Sequence, residues 1–490
     1  MLQQSALNIF FPEEECFFIG FCGDKSQETF ESSFKALIPC YEVCENSKVD
    51  LLFCSELVSG ALPQLFHDQL SMLKRSGVLF YLTHDAPENQ LAIEIMKRQG
   101  FSVLANLAVE GDALYDENCD WATFIPRTGK LDYMKRVLTD CGLLSMSKNK
   151  RARLSVFAYD ESASWLFALL GELGRLGFID KPIEVGRIDK MRTGNVVVQL
   201  MDNKQTKFAV KVLNDDDAKG AISPWLDSVV ARAGTPNELR STIPRVFIKT
   251  DFQAIPYQLE AWMSGKPASL YFYHRKYREV IIDNAVDWSV IFLNATRSND
   301  AQLVLDRGYI KSVMQQFAAK TGKTDKLSSR IIDYIEEKLS LHSCPVVSCH
   351  GDFWIANMLV DDHHCITGVV DWEFSEEKTF PLIDVLHLIF HKKTVFKSFQ
   401  PWKELKNTFR GKISVANRAR IAKCLRQLNI HTELFASLLL LYWIKYLDTR
   451  LPILGGNPGW CEAAFVDIYE LVDKQSVEDW NGLGARLAEA

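Results

Sequence analysis

The sequence predicts an α+β molecule: a small open α/β domain at the front, a strand-rich region behind it, then a mainly helical one. Three observations carry this reading. Short apolar strands alternate with amphipathic helices over roughly the first 130 residues. Further apolar strands follow one another between residues 183 and 213. Toward the C-terminus helical periodicity dominates, except at one polar hairpin spanning residues 348–373.

In the front region Cys16–Gly20 and Val49–Ser55 read as strands. A helix over Leu62–Lys74 is predicted to stop at Ser76-Gly77, where glycine is the expected terminator. Val78–Thr83 reads as a buried strand, Glu88–Gln99 as a helix closed by Gly100, and Phe101–Leu107 as a strand. The runs Val49–Glu56, Leu73–Tyr81 and Gly100–Val103 resemble the second half of class I S-adenosylmethionine methyltransferases. Gly20-Phe-Cys-Gly23 is the only candidate for their glycine-rich turn, and it stands too close to Val49 for the usual intervening strand and helix. The resemblance therefore implies a truncated, Rossmann-like domain over residues 1–130, a docking or scaffolding module rather than a working methyltransferase. Residues 131–180 read as a helical linker, in which Ser162–Leu176 has one apolar side. Its basic cluster Lys148–Arg153 reads as solvated, or as a dock for an anionic substrate.

Ile183–Ile188 and Asn195–Met201 follow as two strands joined by a turn ending in Thr193-Gly194-Asn195, itself a plain hairpin signal. On the next strand, Lys207–Leu213, Lys211 stands among apolar neighbours, and burying its ammonium is costly unless an anion meets it. Lys207 is the solvent-facing lysine of that strand. Ile243–Phe247 reads as a further strand ahead of Gln258–Gly265.

The polar hairpin is the most informative stretch. Val346-Val347 lead into Ser348-Cys349-His350-Gly351-Asp352-Phe353-Trp354, Met358–Val360 leave it, and Ile366–Val370 return to Asp371-Trp372-Glu373. This layout gathers three oxygen-bearing side chains: Asp352, Asn357 and Asp371. Turn capping by Asp352 and Asn357 is the plainer use of such residues. Phosphoryl transfer from Mg-ATP needs such a trio, one carboxylate for the attacking hydroxyl and two oxygen donors for hard cations.

The His-Gly-Asp-Phe-Trp-x-x-Asn-x-Leu run and the later Val-Asp-Trp-Glu resemble the motifs of the aminoglycoside phosphotransferase and choline kinase family, whose fold is like that of protein kinases. The resemblance covers about Ile183–Leu447. It implies a two-lobed protein-kinase-like fold, with a small lobe over 181–270 and a helical large lobe over 271–490. It implies Asp352 as catalytic base, His350 as the brace of its loop, and Asn357 and Asp371 as magnesium ligands. It also implies Thr193, Gly194 and Asn195 as the phosphate turn, and Lys211 as the cation on the ATP phosphates. The helix Ser223–Ala233 offers Lys211 only Asp227 as partner, an aspartate where a glutamate is usual. Backbone groups of Glu260, Ala261 and Trp262 are implied as the adenine-binding hinge. Asp384, just inside a helix, is expected to brace the catalytic loop or merely to favour the helix start. Helices are expected at Tyr309–Lys320, Ser328–Leu341, Ile383–His391, Arg418–Leu428 and Thr432–Leu447.

The implied activity is transfer of the γ-phosphoryl group of ATP, with magnesium, to a hydroxyl of a sugar, aminosugar or amino alcohol. Trp354, Glu373, Glu376, Glu377, Trp443 and Asp448 are candidates for the acceptor site, since carboxylates and tryptophans suit a cationic acceptor. A non-catalytic kinase-like binding protein and a bifunctional methyltransferase-kinase are the competing readings. A net charge of −6 over 490 residues argues against nucleic acid as a partner. The twelve cysteines show no zinc spacing and read as reduced thiols. The start of the chain does not read as a signal peptide, and the apolar run Phe435–Ile444 is too short to span a bilayer. A cytoplasmic protein without membrane partners is expected, and the sequence is silent on oligomeric state.

Overall fold

The computed structural model describes residues 17–22, 41–43, 49–55, 73–83, 86–98, 102–110, 113–115, 152–158, 165–179, 183–190, 195–202, 205–213, 226, 235–271, 274–298, 301–323, 325–391, 401–449, 451 and 460–488. They form two compact units, Met1–Ala221 with Pro244–Trp262, and Ile222–Ile243 with Met263–Ala490.

The first unit carries one sheet of twelve strands. In chain order these are β1 (Phe17–Cys22), β2 (Tyr41–Val43), β3 (Val49–Ser55), β4 (Leu73–Thr83), β5 (Ser102–Glu110), β6 (Ala113–Tyr115), β7 (Ala152–Ala158), β8 (Glu184–Lys190), β9 (Val196–Asp202), β10 (Gln205–Val212), β11 (Val246–Phe252) and β12 (Ile255–Ala261). Across the sheet the order is β11-β12-β10-β9-β8-β6-β5-β7-β4-β3-β1-β2. Strands β2, β1, β3 and β4 are parallel. Every pairing from β4 to β11 is antiparallel. Helix α1 (Ala86–Arg98) connects β4 to β5.

Two local expectations are corrected here. The stretch 131–180 is not wholly helical, because Ala152–Ala158 is a strand between β4 and β5. Its run Ala-Arg-Leu-Ser-Val-Phe-Ala alternates with the period of a strand, so Arg153 falls in the ladder opposite Thr83 and Ala108. Gly77 does not stop a helix: β4 runs through it, with a register irregularity between the Val49–Leu73 and Leu51–Val78 pairs that takes up the extra residues. The rest of the expected Leu62–Lys74 helix, the Gly23 turn and the Ser223–Ala233 helix beyond Leu226 lie outside the described residues. Helix α2 (Trp165–Arg175) forms as expected. Its buried Trp165, Leu166, Leu169, Leu170 and Leu173 repeat at helical spacing, and the Trp165 indole donates to the Phe252 carbonyl at 3.0 Å.

The second unit is mainly helical. Its helices are α3 (Arg275–Thr296), α4 (Arg307–Thr321), α5 (Ser328–Leu341), α6 (Ile383–His391), α7 (Pro401–Phe409), α8 (Val415–Gln427), α9 (Phe435–Asp448), α10 (Trp460–Lys474) and α11 (Val477–Ala488). Both α5 and α6 occupy the predicted residues. Helix α4 starts on Asp306, whose carboxylate accepts from the Tyr309 N–H at 2.9 Å, and ends on left-handed Gly322. Helices α6 and α9 are buried almost all round, so they form the core against which the polar hairpin is set. The hairpin itself consists of β14 (Val347–Cys349), β15 (Met358–Val360) and β16 (Ile366–Val369), with β13 (Lys266–Pro267) beside β15 and β17 (Glu376–Thr379) beside β14. Among the described residues no helix is long and apolar enough to cross a membrane, and Cys344, Cys349, Cys365 and Cys424 are free thiols.

Candidate active site

The loop between β14 and β15 is shaped by one glycine and two buried polar residues. Gly351 has φ +83°, and a Cβ there would stand 2.0 Å from the Phe374 carbonyl oxygen, so only glycine fits. His350 is fully buried. Its Nε2 donates to the Val370 carbonyl at 2.9 Å, while Nδ1 accepts from the Asp352 N–H at 3.3 Å. These two bonds define the neutral tautomer with the proton on Nε2. Burial pushes the His350 pKa below its ordinary value against the opposing charges of Asp384 and Asp352. The imidazole thus ties the Asp352 loop to the strand leading to Asp371, and its ring lies 4.5 Å from that of Trp372.

Asp384 approaches the same loop from the first turn of α6. Its two carboxylate oxygens accept from the backbone N–H groups of His350 (2.8 Å) and Gly351 (3.0 Å). This is a brace rather than a reacting group, because both oxygens are engaged and the residue is 2% exposed. Burial raises its pKa, while the His350 ring and the two N–H donors pull the other way.

Asp352 remains partly open, with 28% of its side chain exposed. Its Oδ1 lies 3.2 Å from His387 Nε2. Its Oδ2 accepts from Trp354 Nε1 at 3.2 Å and Asn357 Nδ2 at 2.9 Å. Burial works to raise its pKa, but the hydrogen bond and charge of His387, the His350 ring and the Asn357 amide together hold it down at about 2. The group is therefore a fixed, ionised acceptor that can orient an alcohol and receive its proton late.

Asn357 uses its side-chain nitrogen on both the Asp352 carboxylate and the Asp352 carbonyl, each at 2.9 Å. Its side-chain oxygen is consequently the atom left to face a cation. The Val370 N–H donates to the Asn357 carbonyl at 3.0 Å, and Met358 pairs with Val369, so the antiparallel register puts Asp371 one residue beyond that bond. Asp371 sits at φ 71°, ψ 58°, a left-handed conformation that a non-glycine residue holds at a cost of about 1–3 kcal/mol. An amide oxygen and a carboxylate are the hard donors that suit magnesium, so the residues present fit that ion.

In the first unit Lys211 lies on β10 between β9 and β12. Its ammonium is 3.3 Å from Glu260 Oε1, and Gln258 holds the other Glu260 oxygen at 2.8 Å. Lys211 is opposite Gln258 on β12, which makes Glu260 its diagonal cross-strand neighbour. Among the described residues the Glu260 carboxylate stands beside Lys211, a residue expected only as hinge backbone. Asp227, Thr193 and Gly194 lie outside the described residues, and Asn195 is buried ahead of β9. At the expected hinge, the N–H groups of Ala261 and Trp262 donate to the carbonyls of Arg245 (2.8 Å) and Lys207 (3.0 Å).

Among the acceptor-site candidates, Trp354 touches Asp352 as described. Trp443 is instead fully buried, facing Phe409 at 6.1 Å between ring centroids, because α9 is a core helix. Glu376 is paired with Lys445, Asp448 accepts from the Tyr309 hydroxyl at 3.1 Å, and Glu377 is exposed. Glu373 is half-buried. The residue that sequence reasoning missed is His387. Its signal was present: three residues after Asp384 puts it on the same helix face.

A second polar group stands apart from this loop. His342, His431 and Glu433 bring ligand atoms within 4.8 Å of one another. The two rings are stacked 4.0 Å apart at 4°, so their lone pairs lie in separate parallel planes, and Lys338 Nζ lies 3.7 Å from the same carboxylate. That is an ion-paired helix junction rather than a cation cage.

Residues 293–394 match the profile of the phosphotransferase enzyme family, about a fifth of the chain, and the match contains the whole loop described above. A search of curated proteins finds no match. Among solved structures, the chain is similar to an aminoglycoside phosphotransferase from Streptomyces rimosus in complex with ADP and streptomycin (14% identity, 57% of this chain and 97% of that one, TM-score 0.34). It is also similar to a choline/ethanolamine kinase family protein from Mesorhizobium loti (15% identity, 65% and 97%, TM-score 0.37). A third is an ethanolamine kinase from Plasmodium vivax (10% identity, 73% and 98%, TM-score 0.40).

Proposed function

We propose that this chain is a small-molecule kinase of protein-kinase-like fold, moving the γ-phosphoryl group of ATP to a hydroxyl of a sugar, aminosugar or amino alcohol. The observation that carries the reading is the Asp352 carboxylate: ionised, partly open, locked by three donors, and hydrogen-bonded to an asparagine whose oxygen remains for a cation. The family match over residues 293–394 supports the same reading.

In this proposal Asp352 accepts the hydrogen bond of the attacking hydroxyl and receives its proton as the oxygen–phosphorus bond forms. The carboxylate need not be a strong base, because a loose transition state releases the proton late. Asn357 and Asp371 would hold magnesium, which supplies charge neutralisation on the transferring phosphoryl oxygens when bound. Lys211, kept in place by Glu260, offers its ammonium to nucleotide phosphates, with Thr193, Gly194 and Asn195 as the phosphate turn. Residues 1–130 are proposed as a docking or scaffolding module.

The test is ATP consumption with magnesium over a panel of alcohols including choline, ethanolamine, simple sugars and aminoglycosides. One acceptor is expected to stimulate ADP release, and Asp352→Ala to abolish that stimulation while ATP still binds. Magnesium-dependent ATP binding without turnover on any acceptor would favour a non-catalytic binding protein. S-adenosylmethionine binding by the full chain would favour the bifunctional reading.

A further inference from the structure

The Asp352 carboxylate has two unlike sides. Oδ2 is held from within its own loop, by Trp354 two residues on and Asn357 five residues on. Oδ1 is held from elsewhere, by His387 Nε2 at 3.2 Å from the second turn of α6. Two donors converging on Oδ2 leave the carboxylate able to pivot about that oxygen, and the Oδ1 contact removes the pivot.

The imidazole is itself fixed on every side. Tyr442 on α9 brings its hydroxyl to 3.3 Å from His387 Nδ1. With that O–H donating to Nδ1, Nε2 carries the proton that points at Asp352. The His391 ring stacks on it at 3.9 Å and 13°, and His391 Nδ1 bonds the His387 carbonyl at 3.0 Å. His387 is 7% exposed, so its ring is not a surface group free to swing. The helix that presents it is the one whose Asp384 clasps the backbone of His350 and Gly351. One helix therefore sets both the backbone of the loop and the side chain at its centre.

We propose that His387 is a positioning residue for the phosphotransferase reaction, donating from Nε2 to Oδ1 so that Asp352 presents one fixed orientation to the acceptor hydroxyl. The inference rests on the kinase reading and deepens it. The depressed pKa of Asp352 agrees with a donor at that oxygen.

The experiment compares His387→Gln, which carries an N–H donor at a similar reach, with His387→Asn, which is a methylene shorter. Turnover is read as magnesium-dependent ATP hydrolysis with water as acceptor, alongside Asp352→Ala, with thermal melting to confirm folding. His387→Gln is expected to retain most of kcat. His387→Asn should lose kcat by about 10²-fold, the scale of a misplaced catalytic group, with KM for ATP unchanged. Equal activity in both variants, or equal loss, overturns the proposal. Crystal structures of the wild type and the two His387 variants read the carboxylate without any turnover. Oδ1 should stay within hydrogen-bond distance of residue 387 in the wild type and the Gln variant, and turn away in the Asn variant. An unchanged carboxylate in all three overturns the proposal. A wild type without turnover, but with those carboxylate positions, would contradict the kinase reading and leave the positioning role standing.

Discussion

Asp384 holds the loop through both carboxylate oxygens, which accept from the buried His350 N–H and the partly buried Gly351 N–H. Asp384→Asn keeps the size but replaces one acceptor by a donor. It should destabilise the fold by about 1–3 kcal/mol, the cost of an unsatisfied buried donor, read by denaturant unfolding. Gly351→Ala is harsher, since the added carbon collides with the Phe374 carbonyl at a left-handed position. A loss of roughly 3 kcal/mol or more is expected in the same assay. Asp352 predicts a pH dependence. Its folded pKa of about 2 lies below the ordinary value of 3.8, so its ionised form contributes stability above pH 3.8 that is lost as pH falls through 2. The acidic limb of any activity profile should therefore not be set by this carboxylate. A stability difference between the wild type and Asp352→Asn, read by denaturant unfolding, that is already lost above pH 3.8 would contradict the assignment.

Individual elements explain what was legible and what was not. The strands β14, β15 and β16 were readable because short apolar runs flank a local polar loop, and α5 and α6 because their stripes repeat without interruption. The strand β7 was hidden by the basic cluster that runs into it, while β4 was read from Val78 to Thr83 and only its first residues were hidden, by a glycine that forms an irregularity rather than a stop. Lys211 was recognised as a lysine needing an anion, but the Glu260 contact is diagonal across strands forty-nine positions apart in sequence, which no local pattern encodes. An element-scale prediction follows from that pair. Lys211→Met takes a cation from beside the nearly buried Glu260 carboxylate, whose other oxygen accepts from Gln258, and breaking a buried pair from one side is strongly destabilising. The melting temperature should fall, and Lys211→Met/Glu260→Gln should recover part of it. No recovery would mean that the two residues are not coupled.

At the scale of the molecule, an α+β chain is what composition and periodicity lead one to expect, and the described residues form one sheet-based and one helical unit. Pairing of β6 with β8 joins the front strands to those after residue 183 in a single sheet. That continuity was not legible, because it depends on a three-residue strand with no pattern of its own. The reactive loop was legible because its chemistry is compressed into residues 350–371. For His387 only the helical spacing from Asp384 was legible, because its contact with Asp352 exists only once α6 packs behind that loop. The most direct measurement is phosphoryl transfer from ATP as magnesium is titrated, in the wild type and in Asp352→Asn, with ATP binding measured on the same samples. The account predicts magnesium-dependent turnover in the wild type and none in the variant, at equal nucleotide affinity. Turnover surviving in Asp352→Asn would contradict it.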